Sequence, residues 1–280
     1  MIVEIDYAGR QMRGGRERQE DAYAFSDILG HDEKSEGLLV VVADGMGGHT
    51  SGETASVLAM EAFVDRFHRE TGPIQERLQN SMTASNFALA EKFKRVPELK
   101  GMGTTLLAAA VTLHGVHWIS VGDSMLYLLR KGELKRLNAD HSFRSFLDIM
   151  IQTGELTPEK AARHPFRNLL RSALQGDDIE LTDSPEHPLG LQEGDLILAA
   201  TDGLQTIPDA EIEQLLAKAP AGQAAWVAES LLQTVKKCKK PKQDNATVTV
   251  IRFATKSLSA KTASPTRRSK TVVRKPGKRR

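Results

Sequence analysis

Short apolar runs, many of them β-branched and bounded by turn residues, recur along the first 253 residues of this 280-residue chain. Such runs are typical of buried strands. They predict strands over residues 37–43, 104–111, 116–121, 125–129, 134–137, 196–201 and 246–253. Because His114-Gly115 and Lys131-Gly132 fall between neighbouring runs, they predict hairpin turns. The stretch from 104 to 137 is therefore expected to form an antiparallel meander.

Helical apolar spacing occupies other segments of the chain. Thr50-x-x-Glu53 has the form of a capping box and predicts a helix that runs to about His68. Helices are also expected over 74–96 and 221–237, and Thr157-Pro158-Glu159 predicts the start of a shorter one. Strands grouped together, with helices on either side, indicate the α+β class with sheets covered by helices.

Composition narrows the class of protein. There is no run of about 18 apolar residues that could cross a bilayer and no apolar signal segment at the N-terminus. The only cysteine, Cys238, excludes a disulfide within the chain and fits a reducing compartment. We therefore predict a globular cytoplasmic protein without a transmembrane segment.

Charge divides the chain into two parts. Residues 1–253 hold 28 Lys and Arg against 36 Asp and Glu, whereas residues 254–280 hold ten Lys and Arg and no acid. The second part is also rich in Ser and Thr and cannot bury enough apolar surface to fold alone. We predict one domain over 1–253 and a disordered basic tail over 254–280. Such a tail could contact nucleic acid or another anionic surface non-specifically.

Four aspartates stand at the ends of strand-like runs. Asp44 and Asp202 end their runs in Asp-Gly, Asp123 follows Val121-Gly122, and Asp244 precedes the last run. One Asp-Gly is ordinarily a turn, but four such acids predict carboxylates that converge at one rim of a sheet. Their mutual repulsion would be relieved by a cation. Oxygen ligands without a Cys/His cluster select Mg²⁺ or Mn²⁺ over zinc.

A charged segment near the N-terminus, GGRERQEDAYAF, adds a candidate for phosphate binding. Arg16 lies five residues before Asp21. An arginine fork beside an acid-rich site suits a bidentate hold on a phosphate that bridges metal ions. A solvated run of charges is the alternative for this segment taken by itself.

Taken together, these residues resemble the bacterial metal-dependent serine/threonine protein phosphatases of the 2C type. The resemblance covers residues from about 10 to 253, and six motifs appear in family order. They are Arg16–Asp21 for R-x-x-N-x-D, D-G-M-G-G-H at Asp44–His49, Gly103-Thr104-Thr105, Gly122–Met125 for G-D-S-R, Thr201–Leu204, and Asp244–Val248. The segment 139–176 is similar to the family's flap. Gln19 and Met125 depart from the family's usual asparagine and arginine.

The resemblance implies an αββα sandwich, in which two mainly antiparallel sheets pack together between helices. It also implies a site for two Mn²⁺ or Mg²⁺ ions, with a weaker third ion beside the flap. The implied metal ligands are Asp44, the Gly45 carbonyl, Asp202, Asp244 and, for the third ion, Asp123. The implied surrounding residues are Glu20, Asp21, His49 and Asn245, of which Glu20 and Asp21 would hold metal-bound waters. His49 could orient a water or donate a proton, or it could simply cap the helix that follows.

The implied activity is hydrolysis of phosphoserine and phosphothreonine in proteins by a metal-activated water, which reverses a Ser/Thr kinase. Two ions lower the pKa of a bridging water and neutralise charge on the phosphoryl oxygens, while Arg16 holds the phosphate, so no covalent phosphoenzyme is needed. Phosphorylated proteins and a cognate kinase are the expected partners of a monomer. The alternative is a catalytically weak relative that serves as a scaffold for a kinase or phosphoprotein. The presence of every matching acid favours the enzyme.

Other chemistries lack their residues. A cysteine phosphatase loop, Cys-x₅-Arg, would need arginine six residues after Cys238, where Asp244 stands. There is no G-x-x-x-x-G-K-[ST] loop for a nucleotide, and the histidines form no H-x₃-H pair for zinc. The sequence does not identify the physiological substrate.

Overall fold

The structure, a computed structural model, describes residues 2–30, 35–47, 51–219, 223–256 and 272–274. Its strands within these ranges are β1 (Ile2–Met12), β2 (Asp21–Leu29), β3 (Ser35–Met46), β4 (Gly103–Thr104), β5 (Leu106–Thr112), β6 (Gly115–Val121), β7 (Met125–Arg130), β8 (Glu133–Arg136), β9 (Leu196–Ala200), β10 (Ala246–Lys256) and β11 (Val272–Arg274).

The structure has six α-helices within the described residues. They are α1 (Ser51–Arg69), α2 (Ile74–Arg95), α3 (Phe143–Gln152), α4 (Pro158–Ala162), α5 (Asp209–Ala217) and α6 (Ala224–Lys237), with short 3₁₀ helices at Pro97–Leu99 and Asp202–Thr206. No helix of the described residues combines the length and the apolar character that a membrane span needs.

Two antiparallel sheets are stacked on each other. The first has the order β1-β10-β9-β7-β8, and the second has the order β11-β2-β3-β5-β6 with β4 paired to β3. One apolar cluster, which includes Val40 and Ile197, lies between the sheets. A second cluster, around Phe63, joins α1 and α2 to the second sheet, and a third, around Leu231, joins α5 and α6 to the first. The predicted αββα sandwich is thereby confirmed.

The predicted meander over 104–137 is wrong in one respect. β5 and β6 form one hairpin in the second sheet, and β7 and β8 form another in the first sheet. β7 pairs with β9 instead of β6. Gly122, between β6 and β7, has a φ of 103°, a left-handed backbone conformation that favours glycine. The chain therefore crosses from one sheet to the other at this turn.

The end of the chain departs from the predicted disorder at six residues. β10 continues through 254–256, and β11 pairs with the edge strand β2, Val272 opposite Phe25 and Arg274 opposite Tyr23. An edge strand offers unpaired backbone groups, and β-branched Val272 and Val273 suit a strand. The rest of the tail prediction lies outside the described residues.

Candidate metal centre

Aspartates from both sheets surround one cavity at an end of the sandwich. The cavity has a volume of about 470 Å³, and Asp44, Asp123, Asp202 and Asp244 line it. Asp44 belongs to β3 and Asp123 follows β6, both in the second sheet, whereas Asp202 follows β9 and Asp244 precedes β10 in the first sheet. The prediction that the acids share the rim of a single sheet is therefore corrected, because stacking of the sheets brings the two sets together.

The backbone of Asp44 is fixed by the Gly-Thr-Thr step. Its N–H donates to Thr105 Oγ1 at 3.0 Å. Its carbonyl oxygen accepts from the Thr105 N–H at 2.9 Å and from Thr104 Oγ1 at 2.9 Å. Burial raises the pKa of the Asp44 carboxyl well above its usual range, and repulsion from Asp21 and Asp202 adds to the rise. The two threonines thus hold a carboxylate where its charge is disfavoured.

Asp21 stands opposite Asp44 on the neighbouring strand, in the β2–β3 register, and is fully buried. Its Oδ2 accepts from Thr201 Oγ1 at 2.9 Å and from Thr247 Oγ1 at 2.7 Å. Among the described residues its Oδ1 has no hydrogen-bond partner. Burial raises the pKa of Asp21 to about 7, against the opposing effect of the two threonines. A buried carboxylate oxygen without a protein partner fits a site that also takes up water or a cation.

Asp123 and Asp202 are destabilised as anions for the same reasons. Burial raises the pKa of Asp123 to about 7, with further repulsion from Asp202 and Asp140. The pKa of Asp202 is raised by burial and by the nearby Asp244. Oxygen donors that repel one another suit a hard divalent cation, so these residues fit Mg²⁺ or Mn²⁺. As they stand, no three acid, His or Cys side chains of the described residues are close enough to bind one ion together.

Arg16 reaches the cavity from the loop after β1. Its Nη2 donates to Asp244 Oδ2 at 2.5 Å, and both side chains are about half exposed. This ion pair raises the pKa of Arg16. Arg18, two residues further on, does not line the cavity. The structure therefore places Arg16 at the carboxylates, where it is available to a phosphate that competes with Asp244.

Asn245 holds the loop that carries Arg16. Its Oδ1 accepts from the Glu20 N–H at 2.7 Å, and its Nδ2 donates to the carbonyl oxygens of Arg13 and Arg18 at 2.8 and 2.9 Å. Glu20 in turn lines the cavity, and burial raises the pKa of its carboxyl. Asn245 was predicted to surround the metal ions, and in the structure its hydrogen bonds position the neighbouring loop.

Gly45 has a packing role besides the one suggested by the resemblance. A Cβ at this position would collide with the carbonyl oxygen of Gly52 at the start of α1 and would lie 2.7 Å from the Glu20 carbonyl oxygen. Glycine is therefore required where β3 meets that helix. His49 lies outside the described residues, as do Gly48 and Thr50, the first residue of the predicted capping box.

The two departures from the family pattern have different surroundings. Gln19 is half-buried, and its two polar side-chain atoms are buried without a hydrogen-bond partner among the described residues. Met125 is fully buried, and its Sδ accepts from Gln205 Nε2 at 3.2 Å. Gln205 also accepts from Arg144 Nη1. Where the family has an arginine, this chain has a thioether linked through a glutamine to an arginine of α3.

Sequence reasoning did not single out Arg144 or the flap residues at the cavity. Arg144 lies in the first turn of α3, and its Nη2 donates to Asn168 Oδ1 at 3.0 Å. Burial raises the pKa values of Asp123 and Asp202, and the charge of Arg144 partly opposes that rise. The flap residues that line the cavity are Asn168, Leu169, Leu170, Arg171, Ser172, Ala173 and Gln175. A signal was available, since the segment 139–176 resembles the family's flap.

Comparisons with known proteins agree with this geometry. The family model described as protein phosphatase 2C matches residues 8–246. Serine/threonine protein phosphatase PstP of Mycobacterium tuberculosis is 36% identical over 203 residues, which are 71% of this chain and 36% of that protein. The match therefore spans about a third of that relative's length. Serine/threonine phosphatase stp of Listeria innocua is 34% identical over 191 residues, 66% of this chain and 74% of that protein.

A solved structure extends the similarity to the fold. The catalytic domain of serine threonine protein phosphatase PstP in complex with two manganese ions superposes with a TM-score of 0.71 at 31% identity, covering 90% of this chain and all of that one. The family model matches far more than half of the chain, and the four aspartates around the cavity lie within the matched residues. The chain belongs to the protein phosphatase 2C family.

Proposed function

We propose that this protein is a Mn²⁺- or Mg²⁺-dependent phosphatase that hydrolyses phosphoserine and phosphothreonine in proteins. The observation that carries the proposal is the meeting of Asp44, Asp123, Asp202 and Asp244 around one cavity with Arg16 at its edge. A cation between these carboxylates and a phosphate beside the guanidinium would satisfy both charges. The named relatives are Ser/Thr phosphatases, and one was solved with two manganese ions.

We assign the metal ligands by motif. Asp44, the Gly45 carbonyl oxygen, Asp202 and Asp244 would hold two ions, and Asp123 with Asp202 would hold a weaker third. When bound, two such ions supply an activated water nucleophile and neutralise charge that develops on the phosphoryl oxygens.

The chain's own residues position and protect the reacting groups. Arg16 would leave Asp244 and hold two phosphoryl oxygens with its planar fork. Asp21 accepts from the Thr201 and Thr247 hydroxyls through Oδ2, while its Oδ1 has no hydrogen-bond partner among the described residues and would be available to a water at the bound ions. The flap residues Asn168 and Ser172 line the cavity, where they would contact a bound phosphopeptide.

The partners follow from this activity. Phosphorylated proteins are the substrates, and a cognate Ser/Thr kinase supplies them. A monomeric state and a cytoplasmic location belong to the same proposal and rest on the sequence alone. The alternative, a catalytically weak scaffold, is disfavoured because no acid of the implied ligand set is replaced.

The direct test is phosphate release from a phosphothreonine peptide and from p-nitrophenyl phosphate with and without Mn²⁺ or Mg²⁺. Hydrolysis of both compounds should depend on the metal and should stop when EDTA is added. Alkylation of Cys238, which is exposed, should have no effect. Activity that survives exhaustive chelation would refute the proposal, as would inactivity on every phosphopeptide in the presence of Mn²⁺.

A further inference from the structure

A second cavity, whose lining includes five basic residues and one acid, lies beside the candidate metal centre. Its volume is about 500 Å³, and it lies between the end of β1 with its following loop and the end of α6 with its following loop. We call it the basic cleft. Its charged lining residues are Arg10, Arg13, Glu229, Lys236, Lys239 and Lys240.

Most of the positive charge in the basic cleft is not neutralised by neighbouring acids. Arg10 lies 3.6 Å from Glu229, the one acid of the lining. Within the described ranges none of the other four basic side chains has an ion pair, and all four are exposed. This charge stands out because residues 1–253 carry more acids than bases.

Helix chemistry explains only part of this charge. Lys236 and Lys237 are in the last turn of α6, where cations favour the helix dipole. The chain then adds Lys239, Lys240 and Lys242 beyond the helix end. These later lysines need another explanation.

Two of the later lysines stand where glycine would be less costly. Lys239 has a φ of 48° and Lys242 a φ of 57°, both in the left-handed region. A residue with a Cβ is disfavoured there, and helices commonly end in glycine at such a position. The dipole of α6 therefore does not explain why lysine stands at these two positions beyond the helix end.

The basic cleft and the metal centre lie on consecutive residues of the same two loops, with Gly15 and Gln243 in the cleft and Arg16 and Asp244 at the metal centre. The Gly15 N–H donates to the Gln243 carbonyl oxygen at 2.7 Å, which ties its two walls together. Arg16 follows the first of these residues and Asp244 follows the second. Lys242 does not line the cleft, but its Cα lies against Gly15, which does. Because an extended chain spans at most about 3.6 Å per residue, this Cα is within about 7 Å of that of Asp244.

We propose that the basic cleft binds anionic side chains that flank the phosphorylated residue of a protein substrate. The proposal rests on the phosphatase function argued above. A peptide with its phosphothreonine at the metal centre would carry residues two to four positions away across the cleft. The preferred substrates therefore have carboxylates, or a second phosphate, at those positions. Exposed ion pairs are individually weak, so several together should raise kcat/KM by about tenfold at low salt.

The test compares three phosphothreonine peptides of equal length with Mn²⁺ present. One has neutral flanks, one has glutamates two to four residues from the phosphothreonine, and one has a second phosphate there. The wild-type protein should prefer one or both anionic peptides, and the preference should shrink at high salt because screening weakens exposed pairs. Which anionic peptide is preferred identifies the source of the charge.

Glycine substitutions give a matched pair of variants. The double variant Lys239→Gly with Lys242→Gly removes one charge from the lining of the cleft and one beside Gly15 of that lining. It also relieves the backbone, so it should fold and hydrolyse p-nitrophenyl phosphate at the wild-type rate. Its preference for anionic peptides should fall several-fold toward that of the neutral peptide. Lys131→Gly makes the same change at another left-handed lysine, φ 53°, in the β7–β8 turn, and should keep the preference.

The outcomes separate this inference from the proposed function. Equal hydrolysis of all three peptides, or an unchanged preference in the double variant, would overturn the role of the basic cleft while leaving the phosphatase activity in place. Failure to hydrolyse any of the peptides or p-nitrophenyl phosphate would overturn the activity itself.

Discussion

Replacement of Asp123 by asparagine should stabilise the protein when divalent cations are chelated and the pH is high. Asp123 is 4% exposed, and burial together with Asp202 and Asp140 raises the pKa of its carboxyl from 3.8 to about 7. A raised native pKa means that the native state holds the proton more tightly than the unfolded state. The stability from that proton is complete below the unfolded value and is lost as the pH rises through 7.

The size of the effect follows from the pKa difference. About three pKa units correspond to about 4 kcal/mol when the carboxyl is ionised in both states. Because Asp123 shares its repulsion with Asp202, and asparagine also loses hydration on burial, we expect a gain between about 2 and 4 kcal/mol at pH 8.5. The gain should be smaller by at least about 1 kcal/mol at pH 5, where the native carboxyl is already protonated.

Urea denaturation of both proteins in EDTA, at pH 5 and at pH 8.5, measures these differences. Asp178→Asn is the control, since Asp178 is an exposed acid, and it should change neither value. If Asp123→Asn costs stability equally at both pH values, Asp123 is a structural turn residue and the electrostatic argument is wrong.

Two further predictions concern the edge of the site and the end of the chain. Arg16→Ala should lower kcat/KM by a factor that corresponds to a loss of roughly 1.5–3 kcal/mol of transition-state stabilisation, the scale of a charged hydrogen bond. Arg18→Ala should lower kcat/KM less. The reverse order would show that the wrong arginine has been assigned. Removal of residues 257–280 should leave p-nitrophenyl phosphate turnover unchanged while weakening salt-sensitive binding to acidic proteins. A large loss of turnover in that truncated protein would show that β11 contributes to the active site.

The sequence predicted the acids of the site well because each stands at the end of a recognisable strand or in an Asp-Gly turn. Asp44, Asp123, Asp202 and Asp244 all line one cavity. What the strand pattern did not predict is that the acids come from two different sheets, since the crossing at Gly122 puts neighbouring hairpins in different sheets. Periodicity describes single elements and contains no information on which sheet an element joins.

The sequence analysis missed β2 and α3 for different physical reasons. β2 is buried on both faces, including Asp21 and Ser26, so it shows no alternation of polar and apolar positions. α3 is apolar, but only Leu147 is buried, and Phe146 and Ile149 are exposed. The apolar residues of α3 therefore lie mostly on the surface of the flap and do not form a core. Thr201 and Thr247 both donate to Asp21 but are far from it in sequence, so only the folded structure shows these hydrogen bonds.

The central claim, that Asp44, Asp202 and Asp244 form a catalytic metal site, is tested most directly by the melting temperature of Asp202→Asn in EDTA and in excess Mn²⁺. Burial and Asp244 raise the pKa of Asp202, so the substitution relieves repulsion in the metal-free protein. We predict a variant at least as stable as wild type in EDTA that loses most of the stabilisation by Mn²⁺ and has no phosphatase activity. Equal destabilisation in both buffers, about 1 kcal/mol as for a lost turn or cap acid, with activity retained, would contradict the account.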